Sequence, residues 1–334
     1  MNLLPLLLAA AVVSVPPAAA QPAPLHATAQ VAANYRLMIG DARVTALSDG
    51  TVPIDLHQLL RGTTEQRIDD LLRQNFQTNP AEASINAYLI ELSGRRILVD
   101  AGAGDVFGPG NGGRLPQALA AVGVTPGQIT DILLTHVHSD HSGGLVRNGR
   151  MLFPNAIVHA GRPDVDFFLD AGNAKRTGYD QRYFDEARKT LGPYVDAGRV
   201  RPFEATGEIL PGIVAELHPG HTPGSAFYVL TSKGERIVFV GDIVHAAAVQ
   251  LPQPTVTITF DQDQDRARAV RREALTRFAA DEVLLAAPHI AFPGIGHVTH
   301  DGAGYGWIPV EFADRQPGSA APDLKAKPVL STSR

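Results

Sequence analysis

The sequence predicts an α/β protein in which two sheets are covered by helices. Strand and helix signals alternate along the chain without an internal repeat, and strand-like runs stand both before and after a central set of polar loops. With 334 residues, 44% of them hydrophobic and 19% charged, the chain is long enough for one large domain with a sizeable core.

The elements follow in order. Residues 1–20 read as an export signal, because Leu3 to Val15 is apolar but for Pro5 and Ser14 and the small residues Ala18 and Ala20 precede Gln21. The run is too short to span a membrane as a helix, so the expectation is a bacterial periplasmic or secreted protein without stable membrane insertion. Residues 21–35 are then an extension, 36–312 the folded domain and 313–334 a mobile tail rich in Pro, Ser, Ala and Lys. Arg43 to Leu47 and Ser84 to Glu91 predict strands, the second joined through Ser93-Gly94 to Arg96-Ile97-Leu98-Val99 as a hairpin. Leu115 to Val122 predicts a helix ended by Gly123, and Asp131 to Thr135 an apolar strand running into His136. Ile157 to Ala160 reads as a strand, Pro163 to Asp170 as a helical turn or two, and Gln181 to Ala197 has helical spacing. Val214 to Leu217, Ala226 to Leu230, Arg236 to Val240 and Val283 to Ala286 read as strands. Asp263 to Ala280 is the best long helix, with Ala267, Val270, Ala274, Leu275 and Phe278 on one stripe and Arg268, Arg271 and Arg272 away from it.

Charge and composition exclude several functions. Lys+Arg 29 against Asp+Glu 34 gives a net charge of −5, and the one short basic cluster, Arg266, Arg268, Arg271 and Arg272, offers no channel for nucleic acid. The chain contains no cysteine, which removes disulfides, thiolate metal sites and a cysteine nucleophile. Hard chemistry is left to histidines, carboxylates and hydroxyls.

The decisive segment is Thr135-His136-Val137-His138-Ser139-Asp140-His141-Ser142-Gly143-Gly144. Four candidate metal ligands follow a buried strand directly, and the glycine pair lets the backbone fold tightly behind them. One metal cannot use all four while keeping a position open for water, whereas two can. Further ligands are expected at the ends of later strands: His221 in Pro219-Gly220-His221-Thr222, Asp242 after Ile237 to Val240, and His289 in Ala287-Pro288-His289. Five histidines and two aspartates suffice for two metals sharing one carboxylate.

This ordered set, His136, His138, Asp140, His141, His221, Asp242 and His289, resembles the metallo-β-lactamase superfamily. The phrase Pro288-His289-Ile290-Ala291-Phe292-Pro293-Gly294-Ile295-Gly296-His297-Val298 is similar to the methyl parathion hydrolase branch with its lactonase and arylesterase relatives. The resemblance covers roughly Arg36 to Phe312 and implies a four-layer αβ/βα sandwich, two divalent ions of the zinc class and a homodimer. It implies that His136, His138 and His221 hold one ion, that Asp140, His141 and His289 hold the other, and that Asp242 bridges them, Asp140 and Asp242 being the carboxylates at the reacting centre. A hydroxide held between the ions would attack a small-molecule ester or lactone carbonyl, or the phosphorus of an activated phosphotriester. The fold family also contains β-lactamases, glyoxalase II-like thioesterases and nucleases, and a metal-binding protein without turnover is a further reading. Zinc, manganese, cobalt and iron all suit such ligands.

Other residues carry two readings each. His297 and His300 lie near enough in sequence to compete with His289, while His218 and His245 are structural or orient a ligand. Asp100, at a strand end, either braces a metal-binding histidine or shapes a turn. Phe107, Phe168, Tyr179, Tyr183, Phe184, Phe292 and Trp307 are candidates for a pocket wall or for core. Relatives that hydrolyse aryl phosphotriesters place a tryptophan after the first ligand cluster. Here Phe167-Phe168 occupies that stretch, which favours a carbonyl ester or lactone, with methyl parathion-type organophosphate hydrolysis or acyl-homoserine lactone cleavage as alternatives.

Overall fold

The computed structural model describes residues 30–313, and every element from Asn34 to Pro309 lies in one compact unit. The export segment expected at 1–20, the start of the 21–35 extension and the tail beyond 313 fall outside the described residues.

Two seven-stranded sheets form, each with its strands in sequential order. The first contains β1 (Asn34–Ile39), β2 (Ala42–Ile54), β3 (Ala81–Leu92), β4 (Arg95–Val99), β5 (Asp131–Leu133), β6 (Ile157–Gly161) and β7 (Val200–Phe203). The second contains β8 (Gly207–Leu210), β9 (Ile213–Leu217), β10 (Ala226–Ser232), β11 (Glu235–Phe239), β12 (Leu284–Ala286), β13 (Ile295–Asp301) and β14 (Gly304–Pro309). Strands β1 to β4 are antiparallel and β4 to β7 parallel. In the second sheet only β11 and β12 are parallel neighbours. Parallel neighbours need long crossovers, and these carry the helices Leu115–Ala121, Arg162–Leu169, Gln181–Thr190 and Gln264–Ala280.

Side-chain alternation sorts the layers. On β3, Tyr88 and Ile90 enter the core between the sheets while Ala87 and Leu89 face the first helical layer. On β10 and β11, Tyr228, Leu230, Ile237 and Phe239 pack between the sheets, and Phe227 and Val238 meet Leu275 and Phe278 of the Gln264–Ala280 helix. The result is a four-layer αβ/βα sandwich. Burial on both faces explains the unbroken apolar stretches Ala87 to Ile90 of β3 and Ile237 to Phe239 of β11.

The structure departs from the sequence expectation at several places. The first strand begins at Asn34, two residues before the expected domain start at 36. The helical spacing over Gln181 to Ala197 resolves into two helices, Gln181–Thr190 and Gly192–Asp196, because Pro193 has no amide proton to continue the first. The helix Glu65–Gln74 and the β13–β14 hairpin were not apparent, the hairpin being short and partly polar. Arg271, expected on the outer face of its helix, is instead 1% exposed.

Candidate metal centre

The ligand-bearing loops leave the C-terminal ends of strands from both sheets, the usual place for a site in such architectures. His136, His138, Asp140 and His141 follow β5, His221 follows β9, Asp242 follows β11 and His289 follows β12. Glycines make the tight paths possible. A Cβ at Gly143 or Gly144 would collide with the carbonyl oxygens of Ala103 and Ala101, and Gly241 takes a left-handed conformation, φ 52°, just before Asp242.

All seven expected ligands converge. The donor atoms of His136, His138 and His221 lie within 4.8 Å of one another, as do those of Asp140, His141, Asp242 and His289. His138 Nδ1 stands 3.0 Å from His136 Nε2 and 3.1 Å from His221 Nε2. Asp242 lies between the two nests. Its Oδ2 is 3.3 Å from His221 Nε2 and 3.6 Å from His136 Nε2, while its Oδ1 is 3.1 Å from both His141 Nε2 and His289 Nε2. His289 Nε2 is also 3.4 Å from Asp140 Oδ2. His297 and His300 stay on β13 and do not enter the centre.

Each histidine turns its other nitrogen to a fixed partner, which settles which nitrogen faces the centre. His141 Nδ1 donates to Asp100 Oδ2 at 2.8 Å, so Asp100 does brace a histidine. His221 Nδ1 donates to Asp261 Oδ1 at 2.9 Å, His289 Nδ1 to the Ser84 carbonyl at 2.8 Å, and His138 Nε2 to the Tyr179 hydroxyl at 3.1 Å. Thr135 Oγ1 donates to Asp100 and lies 3.2 Å from His136 Nδ1. Asp261 and Ser84 carried no motif of their own. Their roles depend on loops far apart in sequence.

The electrostatics call for positive charge. Burial, reinforced by neighbouring histidines, pushes His136 and His138 well below the usual imidazole value, leaving them neutral donors. Burial works against charging His141 too, yet Asp242, Asp100 and Asp140 hold it well above the usual value. His221, also buried, is raised to about 9 by Asp242 and Asp261. Asp242 lies well below the usual carboxylate range despite its burial, because His141, His289 and His136 surround it. His141 Nε2 and Asp242 Oδ1 are both buried without a hydrogen-bond partner among the described residues. Orphaned donor atoms converging from imidazoles and carboxylates are the ligand set of a divalent cation, which would displace the protons these groups otherwise bind.

His245 adds a buried imidazole 3.0 Å from Asp242 Oδ2 and stacks on His289, whereas His218 is away from the centre, stacked on Phe227 and bonded to Glu216. A cavity of about 190 Å³ opens over Asp140, Asp242, His138 and His289. Phe107, Tyr183, Phe260, Val52 and Ile54 form its apolar wall, and Arg182 and Glu186 stand on it as charged groups. Of the residues expected to wall a pocket, Phe107 and Tyr183 do so. Phe168 and Phe184 are fully buried in the first helical layer, Phe292 packs against the core between the sheets, and Tyr179 serves His138. Their apolar character alone does not separate wall from core. Trp307 borders an adjoining groove beside His245 and His289.

Residues 81–289 match the family model described as the metallo-beta-lactamase superfamily. Among solved structures, the chain is similar to the hydrolase AbOPH of the beta-lactamase superfamily, at 35% identity and a TM-score of 0.81, over 86% of this chain and 100% of that one. It is also similar to AidC, a dizinc quorum-quenching lactonase solved with a homoserine product, at 25% identity and a TM-score of 0.77, over 85% of this chain and 99% of that one. Among curated proteins, ribonuclease TTHA0252 of Thermus thermophilus is 28% identical over 179 residues, covering 52% of this chain and 38% of the relative. The curated relatives matched are covered over 38%, 62% and 43% of their own length, so the chain spans about half of them.

Proposed function

The chain belongs to the metallo-β-lactamase superfamily, and we propose that within it the protein is a dinuclear hydrolase of lactones and aryl esters. Metal-dependent hydrolysis follows from the family and the clustered His/Asp centre together. The observation that carries the dinuclear reading is the position of Asp242, whose Oδ2 faces the His136 and His221 nitrogens, whose Oδ1 faces that of His141, and whose two oxygens lie 3.2 and 3.1 Å from His289 Nε2. His136, His138 and His221 would hold one ion, Asp140, His141 and His289 the other, and Asp242 both. Zinc is the proposed ion, since imidazole and carboxylate suit it.

Bound there, divalent ions would supply Lewis acidity, lowering the pKa of water and withdrawing charge from a carbonyl. The chain's own residues do the rest. Phe107, Tyr183 and Phe260 hold the apolar part of the substrate over Asp242 and exclude water from it. Asp140 borders the cavity with its Oδ2 toward His141 and His289, where it can take a proton from the attacking water and return it to the leaving oxygen. Asp100, Asp261, Tyr179 and the Ser84 carbonyl keep the histidines in one tautomer throughout.

The similarity to a dizinc quorum-quenching lactonase supports a lactone, including an acyl-homoserine lactone. Aryl phosphotriesters are the second reading, favoured by the aromatic wall of Phe107, Tyr183 and Phe260. The leader-like residues 1–20 and the family resemblance extend the proposal to a periplasmic or secreted homodimer. Parallel kcat/KM values for an aryl ester, dihydrocoumarin, an acyl-homoserine lactone and methyl parathion test the assignment. Dominance of the carbonyl substrates is expected, and dominance of methyl parathion would make the second reading the correct one.

A further inference from the structure

Of the buried carboxylates that do not face the centre, Asp164 is bonded to both loops of the three-histidine nest. Asp164 lies in the first turn of the Arg162–Leu169 helix and is 0% exposed. An unpaired carboxylate in that position costs free energy unless its acceptors are filled. Here they are filled entirely by two ligand loops. Asp164 Oδ2 accepts from the Val137 amide at 3.1 Å and the Thr222 hydroxyl at 2.8 Å, and Oδ1 accepts from the Gly224 amide at 2.5 Å.

The placement of these donors is specific. Val137 stands between His136 and His138, and Thr222 follows His221, so the carboxylate joins the two chain segments that form the three-histidine nest. One segment follows β5 of the first sheet and the other follows β9 of the second. The approach is close enough that neither glycine involved tolerates a side chain. A Cβ on Gly224 would lie 2.5 Å from the Asp164 amide nitrogen, and one on Gly161 would meet the Gly224 carbonyl. The other braces act differently. Asp261 holds the ring of His221 within its own half of the sandwich, and Asp100 holds His141 of the second nest.

We infer that Asp164 is a positioning residue that sets the spacing between His221 and the His136/His138 pair, and so governs the affinity of one metal position and not the other. The inference rests on the dinuclear reading above. Hydrogen bonds to an anionic acceptor are the stronger kind, and three of them bridging two loops fix a separation that imidazole ligands alone would leave loose.

Competition for Zn²⁺ between the full protein and a chromophoric chelator tests it. The wild type should release two ions per chain; one or none would overturn the dinuclear reading itself. Asp164→Asn, which keeps the shape and removes the charge, should weaken one ion by roughly 10–100-fold, the range for groups that orient ligands, and leave the second within about twofold. Thr222→Val, which removes one of the three bonds, should weaken the same ion by less, and it serves alone should Asp164→Asn not fold. Asp131→Asn, at a buried carboxylate bonded to His159 and Arg95 at the start of β5, should lower the melting temperature without changing either zinc affinity. Equal weakening of both ions, or unchanged affinities in the Asp164 and Thr222 variants with only a lower melting temperature, would overturn the inference.

Discussion

Arg271 and Asp261 form an ion pair in the interior, with Arg271 Nη2 3.2 Å from Asp261 Oδ2 and both side chains buried. The same guanidinium donates to the carbonyls of Ile243 and Val256, the first adjacent to Asp242, and the other oxygen of Asp261 holds His221. A single arginine thus ties a ligand from one loop to the backbone beside the bridging carboxylate.

Removing that arginine should be costly, because the buried Asp261 would keep only His221 as a counter-charge and the Ile243 and Val256 carbonyls would lose their donor. Arg271→Met is expected to destabilise the protein by about 3–5 kcal/mol, the usual range for breaking a buried pair from one side. Thermal melts of the chelated protein check the value, and a loss below about 1 kcal/mol would show that water or another cation replaces the guanidinium.

Asp242 is the residue proposed to serve both metal nests. Asp242→Ala is expected to lower zinc content below two ions per chain and to reduce kcat/KM by on the order of a thousand-fold or more. Full activity with both ions retained would show that Asp242 does not bridge.

The aromatic residues divide by location, and kinetics should divide them the same way. Phe107→Ala, on the cavity wall, is expected to raise KM for aryl esters with little change in stability. Phe184→Ala, in the fully buried first helical layer, is expected to cost about 3–5 kcal/mol and leave KM unchanged. A raised KM in the second variant would mean that the helix Gln181–Thr190 carries strain to the pocket through Tyr183.

Asp164 supplies a pH dependence. Burial pushes its carboxyl from 3.8 up to about 6 despite the bonds from Thr222, Gly224 and Val137. The folded state therefore binds this proton more tightly than the unfolded chain, so the contribution to stability is full below 3.8 and is lost as pH rises through about 6. With metal removed, the melting temperature of the wild type minus that of Asp164→Asn should fall between about pH 4 and about pH 7. A difference independent of pH would show that Asp164 titrates at its ordinary value.

Chelation tests the centre as a whole. Binding that occurs only in the folded state stabilises by mass action, so metal removal is expected to abolish turnover and lower the melting temperature, with zinc restoring both. Restoration of the melting temperature without turnover would identify the centre as structural.

The sequence by itself presented the seven candidate metal ligands and the two-sheet class. His136 to His141 are close in sequence and follow an apolar strand, and the consecutive buried residues of β3, β10 and β11 leave short apolar runs that are legible in the sequence. It also presented His221, Asp242 and His289, because each ends a strand-like run. Only the tertiary structure decided which groups hold those ligands in place. Asp261, Arg271, Asp164, Tyr179 and Ser84 act through contacts 10 to 205 residues away along the chain. Arg271 shows the reason most plainly. Helical spacing alone places an arginine on the polar side, and only the carboxylate brought against it by the 243–261 loops makes its burial favourable. The aromatic residues show the same limit, since Phe168 and Tyr183 both lie in stretches of helical spacing, and what separates core from wall is the surface each helix face finally meets.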